Sequence, residues 1–180
     1  MNTSTPPSST LVRKPETVLK QVFGYSEFRD GQKAVIDAAI NGQDSLVLLP
    51  TGGGKSVCYQ IPALVLEGVT IVISPLISLM QDQVTQLQAL GVKAAYVNNS
   101  LAREEQQLVY QQLHQGQIKL LYVAPEKVLQ HEFLERLSHL NVSLFAIDEA
   151  HCVSQWGHDF RPDYLQLDVL HDLWPSVPRI

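Results

Sequence analysis

Apolar residues along this chain gather in short, nearly unbroken runs, separated by longer stretches in which they recur at spacings of three and four. The runs at 45–49, 69–74, 94–97, 118–123 and 144–148 are rich in Val, Ile and Leu and do not alternate with polar residues. That is the pattern of strands covered on both faces. The intervening spacing predicts helices over 16–23, 31–40, 76–90 and 101–114, another from 55 onward, and short helices within 126–140. Strands alternating with helices in this way predict an α/β fold, with a mostly parallel sheet covered by helices on both faces. Gly42 and Gly91 are placed to close two helices, Pro75 to start one, and Ser100 to cap the next, whose first turn carries Glu104 and Glu105. Pro62 is expected to kink or end the helix that contains it. Residues 1–10 are Ser, Thr and Pro with almost nothing apolar, so a mobile tail is expected over 1–14 and one folded domain over 15–180.

Composition narrows the class only a little. At 180 residues with 45% hydrophobic and 17% charged content, the chain suits one sizeable core. A net charge of −5 argues against a wholly basic nucleic-acid coat, yet a protein that grips phosphates with backbone amides and a few local cations needs none. Cys58 and Cys152 have no partners at metal spacing, which suggests buried structural thiols, no zinc site and a reducing compartment. No apolar stretch reaches the roughly 18 residues of a membrane span, and the start of the chain lacks the basic-then-apolar order of a secretory signal, so a cytoplasmic protein is expected.

Two motifs carry the chemistry. LPTGGGKS, 49–56, follows the first apolar run, and DEAH, 148–151, closes the last. A glycine-rich turn between strand and helix frees backbone N–H groups, here of Thr51, Gly52, Gly53 and Gly54, to converge on phosphate oxygens. Lys55 then adds a point charge on the β- and γ-phosphates, Ser56 gives its hydroxyl to Mg²⁺, and Asp148 holds the same metal through water. Glu149 is placed to orient or deprotonate the attacking water. Leu49 stands where the strict phosphate-loop pattern has glycine. A tight turn and a dipole-favoured helix start are the bland readings of the two motifs taken singly. Both fall at strand C-termini, however, where open α/β sheets bind ligands, so the pair points to a nucleoside triphosphate with magnesium.

Three further segments sit near these motifs. FGYSEFRDGQ, 23–32, brings an aromatic ring, a guanidinium and a carboxamide within a few residues. It reads equally as an adenine-recognition set and as a hydrophobic anchor for the next helix. SPLISLMQDQ, 74–83, and Ala124-Pro125-Glu126 follow two strands and put polar groups and helix starts on one rim, suited to nucleic-acid phosphates or to ordinary capping. CVSQWGHDFRP, 152–162, joins Trp156, His158, Phe160 and Arg161 around Gly157 directly after DEAH. Stacking rings beside a cation suit a single strand, and the polar neighbours Gln155, His158 and Asp159 favour a loop over a buried helix face.

In this order and spacing the residues closely resemble the first RecA-like motor domain of RecQ-family ATP-dependent DNA helicases, of helicase superfamily two, from about Thr17 onward. The resemblance implies that Tyr25 stacks on adenine while Arg29 and Gln32 contact it, and that Leu49 is a superfamily variant of the phosphate loop. It implies that His151 couples hydrolysis to DNA, and that Ser74, Pro75 and the segment YVAPE, 122–126, meet the DNA backbone. SQWGHDFRP, 154–162, is similar to the aromatic-rich loop peculiar to RecQ enzymes, which implies that Gln155, Trp156, His158, Phe160 and Arg161 engage single-stranded DNA. A 3′–5′ helicase of DNA repair and recombination acting on single-stranded and duplex DNA follows as an expectation. The chain stops before the Ser/Thr-Ala-Thr motif, so a second RecA-like domain with its arginine finger is expected in cis, beyond these residues. The residues alone leave two other functions open, a non-catalytic ATP-responsive DNA-binding module and half of an RNA helicase.

Overall fold

The computed structural model describes residues 13–49, 54–149 and 162–180. Four strands form one parallel sheet: β1 (Val69–Ile73), β2 (Ala94–Val97), β3 (Leu120–Val123) and β4 (Val142–Ile147), in the order β2-β3-β1-β4. Register places Ile73 beside Val123 and Ile147, and Val97 beside Val123, so the four C-terminal ends share one rim.

Because the strands are fully parallel, each crossover carries helices onto a face of the sheet. One face takes α1 (Pro15–Gln21), α2 (Gln32–Ile40), α3 (Val57–Val65) and α4 (Ile77–Ala89); Val72, Tyr122, Leu144 and Ala146 pack there against Tyr59, Ala63, Met80 and Val84. The other takes α5 (Arg103–His114), α6 (Pro125–Val128), α7 (His131–Ser138), α8 (Pro162–Leu165) and α9 (Val169–Leu173), over Ile71, Ile73, Leu121, Val123 and Phe145. Successive strand residues thus feed opposite cores, which is why the runs read as unbroken apolar segments. The covered, doubly wound layout is the expected one.

Four local expectations are corrected. Residues 45–49 form no strand, and Leu46 and Leu48 are 76% and 85% exposed. Instead 178–180 lies along β4, with the Phe145 N–H donating to Pro178 O and the Ile147 N–H to Ile180 O, while the Ser45 N–H donates to Arg179 O at 2.9 Å. An Asp44–Arg179 ion pair fastens that corner, and no strand among the described residues lies beside 46–49. Second, Pro62 sits inside α3, which continues to Val65, the Leu66 N–H closing on Pro62 O. The proline removes one donor near the C-terminal end, where few bonds are lost. Third, Ser100 does not cap α5; that position is Ala102, and the Ser100 hydroxyl turns back to Asn98 Oδ1. Fourth, the apolar run 144–148 begins earlier as β4, at Val142, and stops before Asp148. Gly42 and Gly91 follow α2 and α4 in the left-handed conformation as expected, and no described helix is long and apolar enough to cross a membrane.

Candidate nucleotide site

The rim of the sheet holds a cavity of about 590 Å³ whose lining includes Lys55, Tyr59, Asp148, Glu149 and Ile180. Lys55 arrives on the turn before α3, and the two carboxylates arrive at the end of β4. The Asp148 N–H donates to Ile73 O at 2.9 Å, so the residue is tied to the neighbouring strand. Its carbonyl accepts the Tyr164 hydroxyl at 2.8 Å, and its carboxylate accepts the Glu149 N–H at 3.0 Å. Glu149 has φ +58, the one left-handed non-glycine among the described residues. Such a conformation costs about 1–3 kcal/mol and persists where surrounding structure enforces it, as at functional sites.

Gln32 is buried and bridges two of the sequence-identified segments. Its Oε1 accepts the Arg29 N–H at 2.8 Å and its Nε2 donates to Gly54 O at 3.1 Å. Gly54 has φ +74, and a Cβ there would run into the Gln32 amide, so only glycine lets the loop and the amide approach. In this structure Gln32 therefore fastens Gly54 to the segment before α2. Tyr25, 52% exposed, lines a second cavity of about 450 Å³ with Ser56, Gln60, Asp82 and Gln83. The structure thus brings Lys55, Asp148 and Glu149 to one cavity and places Tyr25 and Ser56 together in the other.

Ser74 and Pro75 follow β1 on the same rim. The Ser74 side chain is buried and its Oγ has no hydrogen-bond partner among the described residues, nor does Asn98 Nδ2, at the end of β2. The calls on Thr51, Gly52, Gly53, His151, Gln155, Trp156, His158, Phe160 and Arg161, like the tail 1–12, lie outside the described residues.

Sequence reasoning did not find the buried polar link behind the cavity. The Tyr59 hydroxyl donates to Gln83 Oε1 at 2.8 Å, Gln60 Nε2 donates to the Tyr122 hydroxyl at 3.2 Å, and the two tyrosine rings meet edge-on at 6.4 Å. Burial first, then the neighbouring Tyr122 and Asp148, holds the Tyr59 hydroxyl well above its usual range, and burial pushes Tyr122 up to about 12. The Cys58 thiol, pushed up to about 11 by burial, is a structural thiol. No periodicity announces such a link, because each member sits in an otherwise ordinary core position.

A family model described as DEAD/DEAH box helicase matches residues 29–176. The chain is 58% identical over 172 residues to the ATP-dependent DNA helicase RecQ of Haemophilus influenzae, covering 94% of this chain and 28% of that protein. It is 60% identical over 161 residues to the RecQ of Pasteurella multocida, covering 89% and 26%. It therefore spans about a quarter of the length of these curated relatives. Among solved structures, it is similar to a hypothetical ATP-dependent RNA helicase from Sulfolobus tokodaii, with TM-score 0.65 and 19% identity over 92% of this chain and 48% of that one. The DUF1998 helicase MrfA bound to DNA and AMPPNP also has TM-score 0.65, at 18% identity over 81% and 22%. At these identities the structural likeness establishes the α/β RecA-like helicase fold.

Proposed function

Because the chain belongs to the DEAD/DEAH box helicase family, we propose that it is the ATP- and DNA-binding first motor domain of a RecQ-type 3′–5′ DNA helicase acting in repair and recombination. The observation that carries this reading is the meeting of Lys55, Asp148 and Glu149 in one rim cavity, with Glu149 held in a strained backbone conformation. The volume suits a nucleotide, since ligand pockets run to roughly 300–1,000 Å³.

The residues also fit a magnesium nucleotide. Among the described residues no group of three or more His, Cys, Asp or Glu gathers to hold a metal alone. Mg²⁺ is ordinarily held by one or two carboxylates together with substrate phosphates. Asp148 would supply the protein oxygen in this cavity and Lys55 would hold the β- and γ-phosphates, whereas Ser56, expected to share the metal, lines the neighbouring cavity with Tyr25 instead. Bound there, the magnesium nucleotide supplies a phosphoryl group whose transfer to water releases the free energy for strand movement. Glu149 orients the water and takes its proton. Tyr25, Arg29 and Gln32 select adenine, and Gln32 reports its presence to Gly54. Ser74 and Pro75, with the segment 155–161 that follows DEAH, take the DNA backbone and bases, and His151 links them to the hydrolytic carboxylates.

Magnesium-dependent ATP binding by the chain, measured calorimetrically, tests the reading. Wild type is expected to bind and Lys55→Ala to lose binding, whereas unchanged affinity in Lys55→Ala would make the loop structural. Tighter binding of single-stranded RNA than of DNA would favour half of an RNA helicase instead.

A further inference from the structure

Glu149 stands at φ +58, and the peptide that joins it to Asp148 is held at both of its polar ends. The carbonyl of that peptide accepts the Tyr164 hydroxyl at 2.8 Å, and its N–H donates to Asp148 Oδ1 at 3.0 Å. One residue upstream the Asp148 N–H donates to Ile73 O at 2.9 Å, so the chain leaving β4 is fixed to the end of β1 before it reaches Glu149.

A peptide group is planar, so its carbonyl and N–H turn together. The direct way for Glu149 to leave the left-handed region is a flip of this plane, which breaks both bonds at once. The two ties are not equivalent. Asp148 lines the nucleotide cavity, so its carboxylate is open to competition from whatever binds there. Tyr164 is not among the described lining residues of that cavity. It comes from α8, is 2% exposed, and belongs to the same core as Ile73, Val128, Phe145, Leu167 and Leu170, on the face of the sheet opposite α3. Packing therefore fixes the ring, and the hydroxyl meets the main chain from outside the cavity.

We propose that Tyr164 is a positioning residue for hydrolysis: its hydroxyl, by holding the Asp148 carbonyl, keeps the 148–149 peptide from flipping and so keeps the Glu149 carboxylate at the attacking water. The inference rests on the reading that Glu149 takes the proton of that water, and it adds the group that keeps Glu149 in place. Tyr164 acts through one peptide plane and not on the nucleotide. A displacement of about 1 Å in a reacting group costs on the order of 10²-fold in rate, so a single hydroxyl outside the cavity can govern turnover.

The test measures turnover at saturating oligothymidylate, and affinity for a non-hydrolysable magnesium-ATP analogue, in the full-length enzyme. The forms compared are wild type, Tyr164→Phe, Glu149→Gln and the double variant. Tyr164→Phe removes the hydroxyl and leaves the buried ring, so kcat should fall about 10- to 100-fold with affinity kept within about twofold. In the Glu149→Gln background no carboxylate is left to place, so adding Tyr164→Phe should lower kcat by less than about twofold further, whereas a merely structural role would multiply the two losses. If Glu149→Gln is slow and Tyr164→Phe turns over at the wild-type rate, the positioning role is overturned and Glu149 remains the base. Losses that multiply, or an affinity that falls along with turnover, assign Tyr164 to the stability of the fold and also overturn it. Wild-type turnover in Glu149→Gln removes the carboxylate's role, and that of Tyr164 with it.

Discussion

Glu149 and Gly68 show how differently one backbone region is used. Gly68, at φ +97, lets the chain turn from α3 into β1, and a Cβ there would run into the Asn141 carbonyl, which accepts the Val69 N–H. Relief would require moving the backbone that starts β4, so Gly68→Ala should cost about 2–4 kcal/mol, read as a fall in the denaturant midpoint. A midpoint unchanged within error would mean that the turn can rearrange. Glu149 is left-handed with a full side chain, and no steric economy explains that choice. Glu149→Gln keeps the shape and the backbone strain but removes the carboxylate proposed to take the water's proton. Magnesium-ATP affinity should stay within about twofold while turnover in the full-length enzyme falls at least about 10²-fold. Retained turnover would assign the water-activating role elsewhere.

At the scale of elements, α3 carries more than the phosphate loop. Through Tyr59 it is bonded to α4 and through Gln60 to β3, the elements that deliver Ser74-Pro75 and Pro125-Glu126 to the rim. Tyr122 is raised to about 12 in the folded state against about 10 when unfolded, so above pH 10 the unfolded chain binds fewer protons than the folded one. Stability from this group is complete below pH 10 and is lost as pH rises toward 12, by about 3 kcal/mol in all. Alkaline denaturation of Tyr122→Phe, followed by circular dichroism, should therefore fall less steeply between pH 10 and 12 than wild type; parallel curves would mean that the hydroxyl ionises freely. Element types and the rim were legible in the sequence because parallel, doubly covered strands leave a strong apolar signature. The state of 45–49 was not, because an apolar run gives no sign of whether a neighbour is present to accept its backbone bonds. Nor were the Tyr164–Asp148 bond and the two-bond Asp44–Arg179 corner, which join segments separated in sequence through a few polar contacts that leave no pattern. Of the site, Lys55, Asp148 and Glu149 could be read because each ends or follows an apolar run. Gln32 could be singled out as a residue, but its bond to Gly54 depends on how α2 packs beside α3.

For the molecule as a whole, the asymmetry of the nucleotide cavity decides what this length of chain can do. The charged residues among its described lining are Lys55, Asp148 and Glu149, and no arginine is among the described lining residues. Phosphoryl transfer spreads negative charge over the equatorial oxygens, and an arginine brought to them is worth about 10³ to 10⁵ in rate. On the reading proposed above, that arginine belongs to a second RecA-like domain closing over the nucleotide. Binding and turnover should then separate cleanly. The 180 residues should bind magnesium-ATP and leave the ATPase rate about 10³-fold or more below that of the same sequence with a second motor domain attached, with no strand separation. Steady-state phosphate release, with and without oligothymidylate, measures this directly. Brisk DNA-stimulated release by the 180 residues alone would mean that the catalytic set is complete within them, and would remove the reason for placing the missing cation in trans to this cavity.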